Sequence, residues 1–209
     1  MLLLFMLFIT YEGFRKSLRN TPNKIRLICT IVFIGIVLRY LCLLVLFLVS
    51  NINYLYILKP FYFLNLICIP IGALIALYIL IRNDKIKFSY IFLITGVLIV
   101  AYSYLIYSSS VKIETSSLYG YYMEFINSPY IYVVYMLFSV LFALIILLNL
   151  KENIYKIGVI LVILSSLTLI CEGMLSLSSK GIFETFIISD IFWILTLNYG
   201  VRKLKKSGR

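Results

Sequence analysis

Not one histidine occurs in the 209 residues of this chain. That absence removes serine–histidine and cysteine–histidine nucleophile pairs, and histidine-ligated zinc with them. Acidic residues are scarce too, with eight Asp and Glu against nineteen Lys and Arg. The cysteines are few. Cys29, Cys42, Cys68 and Cys171 fall inside or at the edge of apolar blocks, with no CxxC spacing among them. They read as buried apolar thiols rather than as bridges. No Walker A sequence, glycine-rich phosphate loop, DxxD pair or TVGYG filter is found. An enzyme would need a carboxylate or serine mechanism without histidine, and no paired motif supplies one. No catalytic residue, cofactor or metal site is expected.

What the chain has in abundance is apolar sequence. It is 63% hydrophobic and 13% charged, where soluble domains run near half and a quarter. Too little polar surface exists to cover a water-soluble globule of this size. Residues 1–209 are expected to form a single transmembrane bundle in a lipid bilayer, with no soluble domain beside it. The net charge of +11 would raise the question of nucleic acid in a soluble protein. Here its placement answers otherwise, and no nucleic-acid partner is expected. Segment 12–27 carries Arg15, Lys16, Arg19, Lys24 and Arg26. Arg82, Lys85 and Lys87 lie in 82–88, and Lys151 and Lys156 in 151–156. The tail carries Arg202, Lys203, Lys205, Lys206 and Arg209. The alternate loops hold only Lys59, Lys112 and Lys180. Basic loops mark the cytoplasmic side. The same loops suit anionic headgroups or a protein partner as well as topology alone.

Seven spans are read from the apolar blocks. Residues 1–14 make a short first span of about 21 Å, against a hydrocarbon core of about 30 Å. It lacks the basic start and small-residue cleavage site of a signal peptide, so it is read as retained. The others are roughly 28–49, 60–81, 88–107, 130–150, 157–177 and 185–201. The expectation is an all-α membrane protein, N-terminus outside and C-terminus inside, in a bacterial cytoplasmic membrane. Open sheets cannot span lipid, and the ten-residue alternation of a barrel is missing. The longest outer stretch, 108–128, is unusually aromatic. Tyr119, Tyr121, Tyr122 and Glu124 make it a candidate lid over an outer site, or an ordinary aromatic belt.

Arg39 is the sharpest feature. It lies within GIVLRYLCLL, deep in its span. A charge there costs about 2.5–3.5 kcal/mol on insertion scales and normally faces a partner inside the bundle. Asp190 and Glu172 are the two acids at comparable depth. The pair is either a functional switch, relay or ligand anchor, or a device that fixes helix register. Lys59, Asn65 and Pro70 form a second cluster. Lys59 is placed to snorkel to headgroups. Pro70 should kink its span and free the Leu66 carbonyl beside Asn65, opening a polar pocket; Asn65 is otherwise an interhelical hydrogen bond. Arg39 with either acid would form the pocket floor, Asn65 and Lys59 a wall. Gly72 and Ala76 have the small-xxx-small spacing that lets helices approach.

The stretch YLYILKPFYFLNLICIPIGALIALYILIRNDKIKFSYIFLI, residues 54–94, is similar to the third and fourth spans of the seven-helix N-terminal sensor regions of bacterial histidine kinases. The shared features are an aromatic run, a polar residue and a mid-helix proline before a short basic turn. The tail VRKLKKSGR carries no coiled-coil linker, phosphoacceptor histidine or ATP-binding domain. The resemblance therefore implies a sensor-like bundle that signals through a cytoplasmic or membrane partner. The expected role is receptor-like or accessory. A small transporter or channel subunit is the alternative, and a membrane enzyme acting on lipids the second.

Overall fold

The computed structural model describes residues 2–48, 55–81, 88–116, 120–150, 155–178 and 186–207. Helix α1 runs Leu2–Asn20 and α2 runs Asn23–Leu48. A single 3-10 turn, Tyr56–Leu58, leads into the short α3, Lys59–Tyr62, and then α4, Asn65–Ile81. Helix α5 is Ser89–Ser108. Two strands follow, β1 Val111–Ser116 and β2 Gly120–Phe125. Helices α6 Ser128–Leu148, α7 Lys156–Ser178 and α8 Ile187–Ser207 complete the chain. Five of these stretches are long and apolar enough to cross a membrane, counting Tyr56–Ile81 as one; α1 and α8 are not among them.

Two expectations need correction. The first span was bounded at residue 14, with 12–27 as a basic loop. Instead α1 continues as one helix of 19 residues, about 28 Å long. Arg15, Lys16 and Arg19 are therefore helical. The turn into α2 is made by Thr21 and Pro22. Thr21 donates its hydroxyl to the Ser17 carbonyl at 2.7 Å. Arg26 then reaches back to the Thr21 carbonyl at 3.0 Å, placing a cation at the end of α1. Glu12 pairs with Lys16 one turn on and with Arg202 of α8. The hydrogen bond from Lys16 holds the Glu12 carboxyl below the ordinary carboxylate range.

The second correction concerns the 108–128 segment, where the all-helical expectation meets two strands. Val111–Ser116 and Gly120–Phe125 pair as an antiparallel hairpin. The residues suit this: Val111, Ile113 and Thr115 alternate with polar neighbours, and Tyr121, Tyr122 and Phe125 favour strands. Gly120 has a φ of 75°, a left-handed backbone that glycine adopts without a side-chain clash. The 56–81 stretch is interrupted at Phe63–Leu64, between α3 and α4, and Pro70 lies within α4. Leu66 and Ile67 donate to Phe63 and Leu64 in tight, three-residue turns, which restart the helix well before the proline.

Helix α4 is the centre of the bundle. Thirteen of its 17 residues are buried. It packs on α2, α5, α6 and α8. Gly72 lies between α2 and α8, where a Cβ would stand 3.5 Å from both Val32 and Leu197. Gly200 of α8 faces Ala76. The small-xxx-small pair thus marks a real close approach of α4 and α8. Helix α8 also packs on α1 and α7. By contrast α5 is peripheral, with Ile91 its one buried residue, and its main neighbour is α4. Large apolar side chains such as Phe8, Leu93, Val100 and Leu148 are exposed around the circumference. In water these would be a severe liability; against lipid they are the natural surface.

The α1–α8 seam supplies a test. A Cβ on Gly13 would collide with Asn198 and come within 2.7 Å of the Phe33 ring. Asn198 itself donates to the Ile9 carbonyl at 3.1 Å. Gly13→Val should therefore cost about 1–3 kcal/mol by overpacking, seen as a lower melting temperature of the purified protein. Gly96→Ala, where nothing lies within 4 Å, should be neutral or slightly stabilising, since alanine is the better helix former.

Candidate functional site

Three polar residues singled out in the sequence, Arg39, Glu172 and Asp190, converge on the start of α8. Phe186 precedes this helix with a φ of 49°, a left-handed conformation that costs a non-glycine residue about 1–3 kcal/mol. Packing holds it there. Its ring is buried and meets Tyr132 and Tyr135 of α6 edge-on, at 5.1 and 5.6 Å between centroids. Phenylalanine has no group to cap the helix, so the first amides of α8 need acceptors from elsewhere.

Glu172, on the neighbouring α7, provides them. Its carboxylate accepts the amides of Ile188 at 3.0 Å and Ser189 at 2.8 Å. These are the amides an N-cap side chain ordinarily serves, and a charged acceptor roughly doubles the strength of such bonds. Asp190 sits in the first turn of the same helix, where the positive end of the helix dipole favours an anion. Arg39, in the second half of α2, forms an ion pair with Asp190, their side chains 4% and 1% exposed. The acid partnered with Arg39 is therefore Asp190. Glu172 belongs to the same helix end with a different task. The two carboxylates and one guanidinium tie α2, α7 and α8 together at one place.

Tyr135 was missed by the sequence reading. It is buried, lies within electrostatic reach of both Arg39 and Glu172, and its hydroxyl is 3.5 Å from the Asn65 carbonyl. Only its occurrence among many tyrosines of the chain could have marked it. A serine–threonine seam was missed as well. Ser139 donates to the Ser166 carbonyl at 3.2 Å, and Ser165 meets Thr196 at 3.3 Å. This seam joins α6, α7 and α8.

In the second cluster, half-buried Lys59 is tied to the protein. Its ammonium donates to the carbonyls of Ile106 and Ser109, each at 2.6 Å, and so caps the end of α5. Tyr102 of α5 donates to the Pro60 carbonyl, a second tie between the same two segments. Asn65 is buried at the start of α4. In the hairpin, Tyr122 is buried and donates to Glu114 at 2.8 Å, while Glu124 accepts the Ser128 hydroxyl at 2.6 Å. Tyr121 is half-buried against the core, and Tyr119 lies outside the described residues. Phe125 stacks on Phe63 at 3.8 Å, and Gly120 lies against the backbone of Leu46 and Phe47. The hairpin is thus seated on the ends of α2 and α3.

A cavity of about 130 Å³ lies between α4, α5 and α6, lined by Leu66, Leu98, Tyr102, Leu105, Ile131 and Tyr135 among others. None of Arg39, Asp190, Glu172, Asn65 and Lys59 lines it. This cavity is therefore separate from the polar cluster. Among the described residues no three His, Cys, Asp or Glu side chains gather as a metal site. Cys29, Cys42 and Cys68 are buried, but Cys171 is exposed on α7, contrary to expectation. No protein-family model, curated protein or solved structure matches the chain.

The geometry sets up a mutant cycle. Arg39→Leu leaves the Asp190 carboxylate buried without its cation and should cost about 3–5 kcal/mol. Adding Asp190→Asn should recover a substantial part. Glu172→Gln should cost about 0.5–2 kcal/mol on its own, as loss of a cap does, and should recover none of the Arg39→Leu loss. Thermal unfolding of the purified variants in detergent measures all four. Equal recovery with either acid would mean that Arg39 is shared between them.

Proposed function

We propose that the chain is a multi-pass protein of a bacterial cytoplasmic membrane with a receptor-like or accessory role. In this reading the N-terminus and hairpin are outside and the basic end is cytoplasmic. The observation that carries the proposal is the Arg39–Asp190 pair at the head of α8. That helix continues unbroken from Ile187 to Ser207. It joins a buried charge near the hairpin end to Arg202 and Lys203 at the basic end. A change in the pairing or in the cap from Glu172 would be felt along one rigid rod. The basic end also presents Arg15, Arg19 and Lys24 as exposed side chains, a surface suited to an acidic partner or to anionic headgroups. Support for sensing over transport comes from close packing toward that end. Leu80, Ile146, Val162 and Val201 are each fully buried there. The likeness of residues 54–94 to histidine-kinase sensor spans points the same way.

The orientation is tested first. A cysteine at Lys112, exposed in β1, introduced with Cys171→Ser, should react with a membrane-impermeant maleimide on intact cells. A reporter fused after Arg209 should be cytoplasmic. Labelling of residue 112 only after lysis would reverse the whole arrangement. The role is tested next. Replacing Arg15, Arg19 and Lys24 together by glutamine should leave abundance and the residue-112 label unchanged, while abolishing co-purification of a partner in mild detergent. Flux of ions or small solutes through proteoliposomes that depends on Arg39 would replace the receptor reading with transport.

A further inference from the structure

The cavity between α4, α5 and α6 has its own chemistry. Helices α5 and α6 both pack on α4, and the cleft lies between them. Its walls are the apolar side chains of Leu66, Leu98, Leu105 and Ile131, with the rings of Tyr102 and Tyr135. Val134 and Ala101, also in the lining, are exposed, so the cleft opens sideways at the bundle surface. An apolar cavity of about 150 Å³ stays dry and accepts a hydrocarbon such as benzene. A cleft of similar size with an open side suits one slim hydrocarbon chain.

One end of the cleft is charged. Tyr102 and Leu105 form its wall on α5, and the next carbonyl along, Ile106, accepts from the Lys59 ammonium. Pro60, adjacent to Lys59, accepts from Tyr102. The ammonium therefore sits just beyond the hairpin-side end of the cleft. Two of its three donors are used by the carbonyls of Ile106 and Ser109. Lys59 is only half-buried, so its remaining donor and its charge are open to an anion. Of the hairpin acids, Glu114 accepts from Tyr122 and Glu124 from Ser128, and neither is paired with Lys59. Around this level Tyr104, Tyr107 and Tyr130 are 75%, 94% and 78% exposed, the position of aromatic residues at a membrane–water interface.

We infer that the cleft binds one acyl chain of an anionic phospholipid, with the lipid phosphate on Lys59. The lipid would fill the gap between α5 and α6 and neutralise a cation that the helix end alone satisfies only in part. The inference rests on the membrane reading above but not on the receptor role. It is read on purified protein, so loss of lipid and loss of a signalling partner are scored separately.

The test uses purified full-length protein in mild detergent, exposed to equal amounts of phosphatidylglycerol and phosphatidylcholine with the same chains. Retained lipid is counted by native mass spectrometry. One phosphatidylglycerol per chain should be kept, with about a fivefold preference, the worth of one lysine near an anionic surface. Ala101→Phe should fill the cleft and remove retained lipid of both kinds. Lys59→Gln should abolish the preference but keep the chain, and Lys59→Arg should preserve both. If Lys59→Gln does not fold, the wild-type protein at 1 M salt gives the same reading, because a charge preference is screened there. Equal retention of the two lipids by the wild type, or unchanged retention by Ala101→Phe, would overturn the inference. So would a dimer that buries Ala101 and keeps no lipid.

Discussion

A helix that begins inside an apolar bundle must bring acceptors to its first amides, and α8 begins there. Its leading residue, Phe186, is buried and carries no polar side chain. The carboxylate of Glu172 is drawn from α7 to fill that role, and Asp190 adds a second negative charge within the first turn. Two anions this close in a poorly polarisable interior would repel. Arg39 makes the arrangement possible by balancing one of them. Each member thus has a reason that depends on the others. The ring contacts of Phe186 with Tyr132 and Tyr135 extend the same knot to α6, so four of the long helices are fixed in register at one end.

The rest of the packing follows from what α8 lies against. Its Gly200 and the Gly72 and Ala76 of α4 permit a close approach of the two helices. Close approach matters more in lipid than in water, because lipid tails compete on equal terms with apolar side chains and only contact quality favours association. Asn198 then joins α8 to α1 through the Ile9 carbonyl. A helix too polar to qualify as a span by composition alone is thereby surrounded on three sides by α1, α4 and α7.

The bundle was legible in the sequence because long apolar blocks and clustered charges are local signals. Arg39 and Asp190 were legible as well, since each is a charge among apolar neighbours and few partners exist. Which acid took the arginine was not legible. Depth alone placed both within reach, and the need of Phe186 for a substitute cap is a tertiary fact. The carbonyl partners of Lys59 were not legible for a similar reason. A lysine beside an apolar span is placed equally well for headgroups or for carbonyls, and only the fold brings the end of α5 to it. The hairpin was missed because spanning segments dominated the argument. Outside them a strand pair is under no obligation to close its edges. The α1 boundary was set where charge began, although Arg15 and Arg19 lie comfortably on a helix that extends past the apolar stretch.

Helix α5 has an unusual consequence. Its 20 residues span about 30 Å, close to the thickness of a hydrocarbon core, and little of that length touches protein. Two anchors, Lys59 and Tyr102, hold it near one end. On the membrane reading, the solvent itself supplies most of its tertiary contacts. Its tilt is then governed by bilayer thickness rather than by side-chain fit. A thinner or thicker bilayer would move this helix first, opening or narrowing the space beside α6 while the knot at α8 stays as it is.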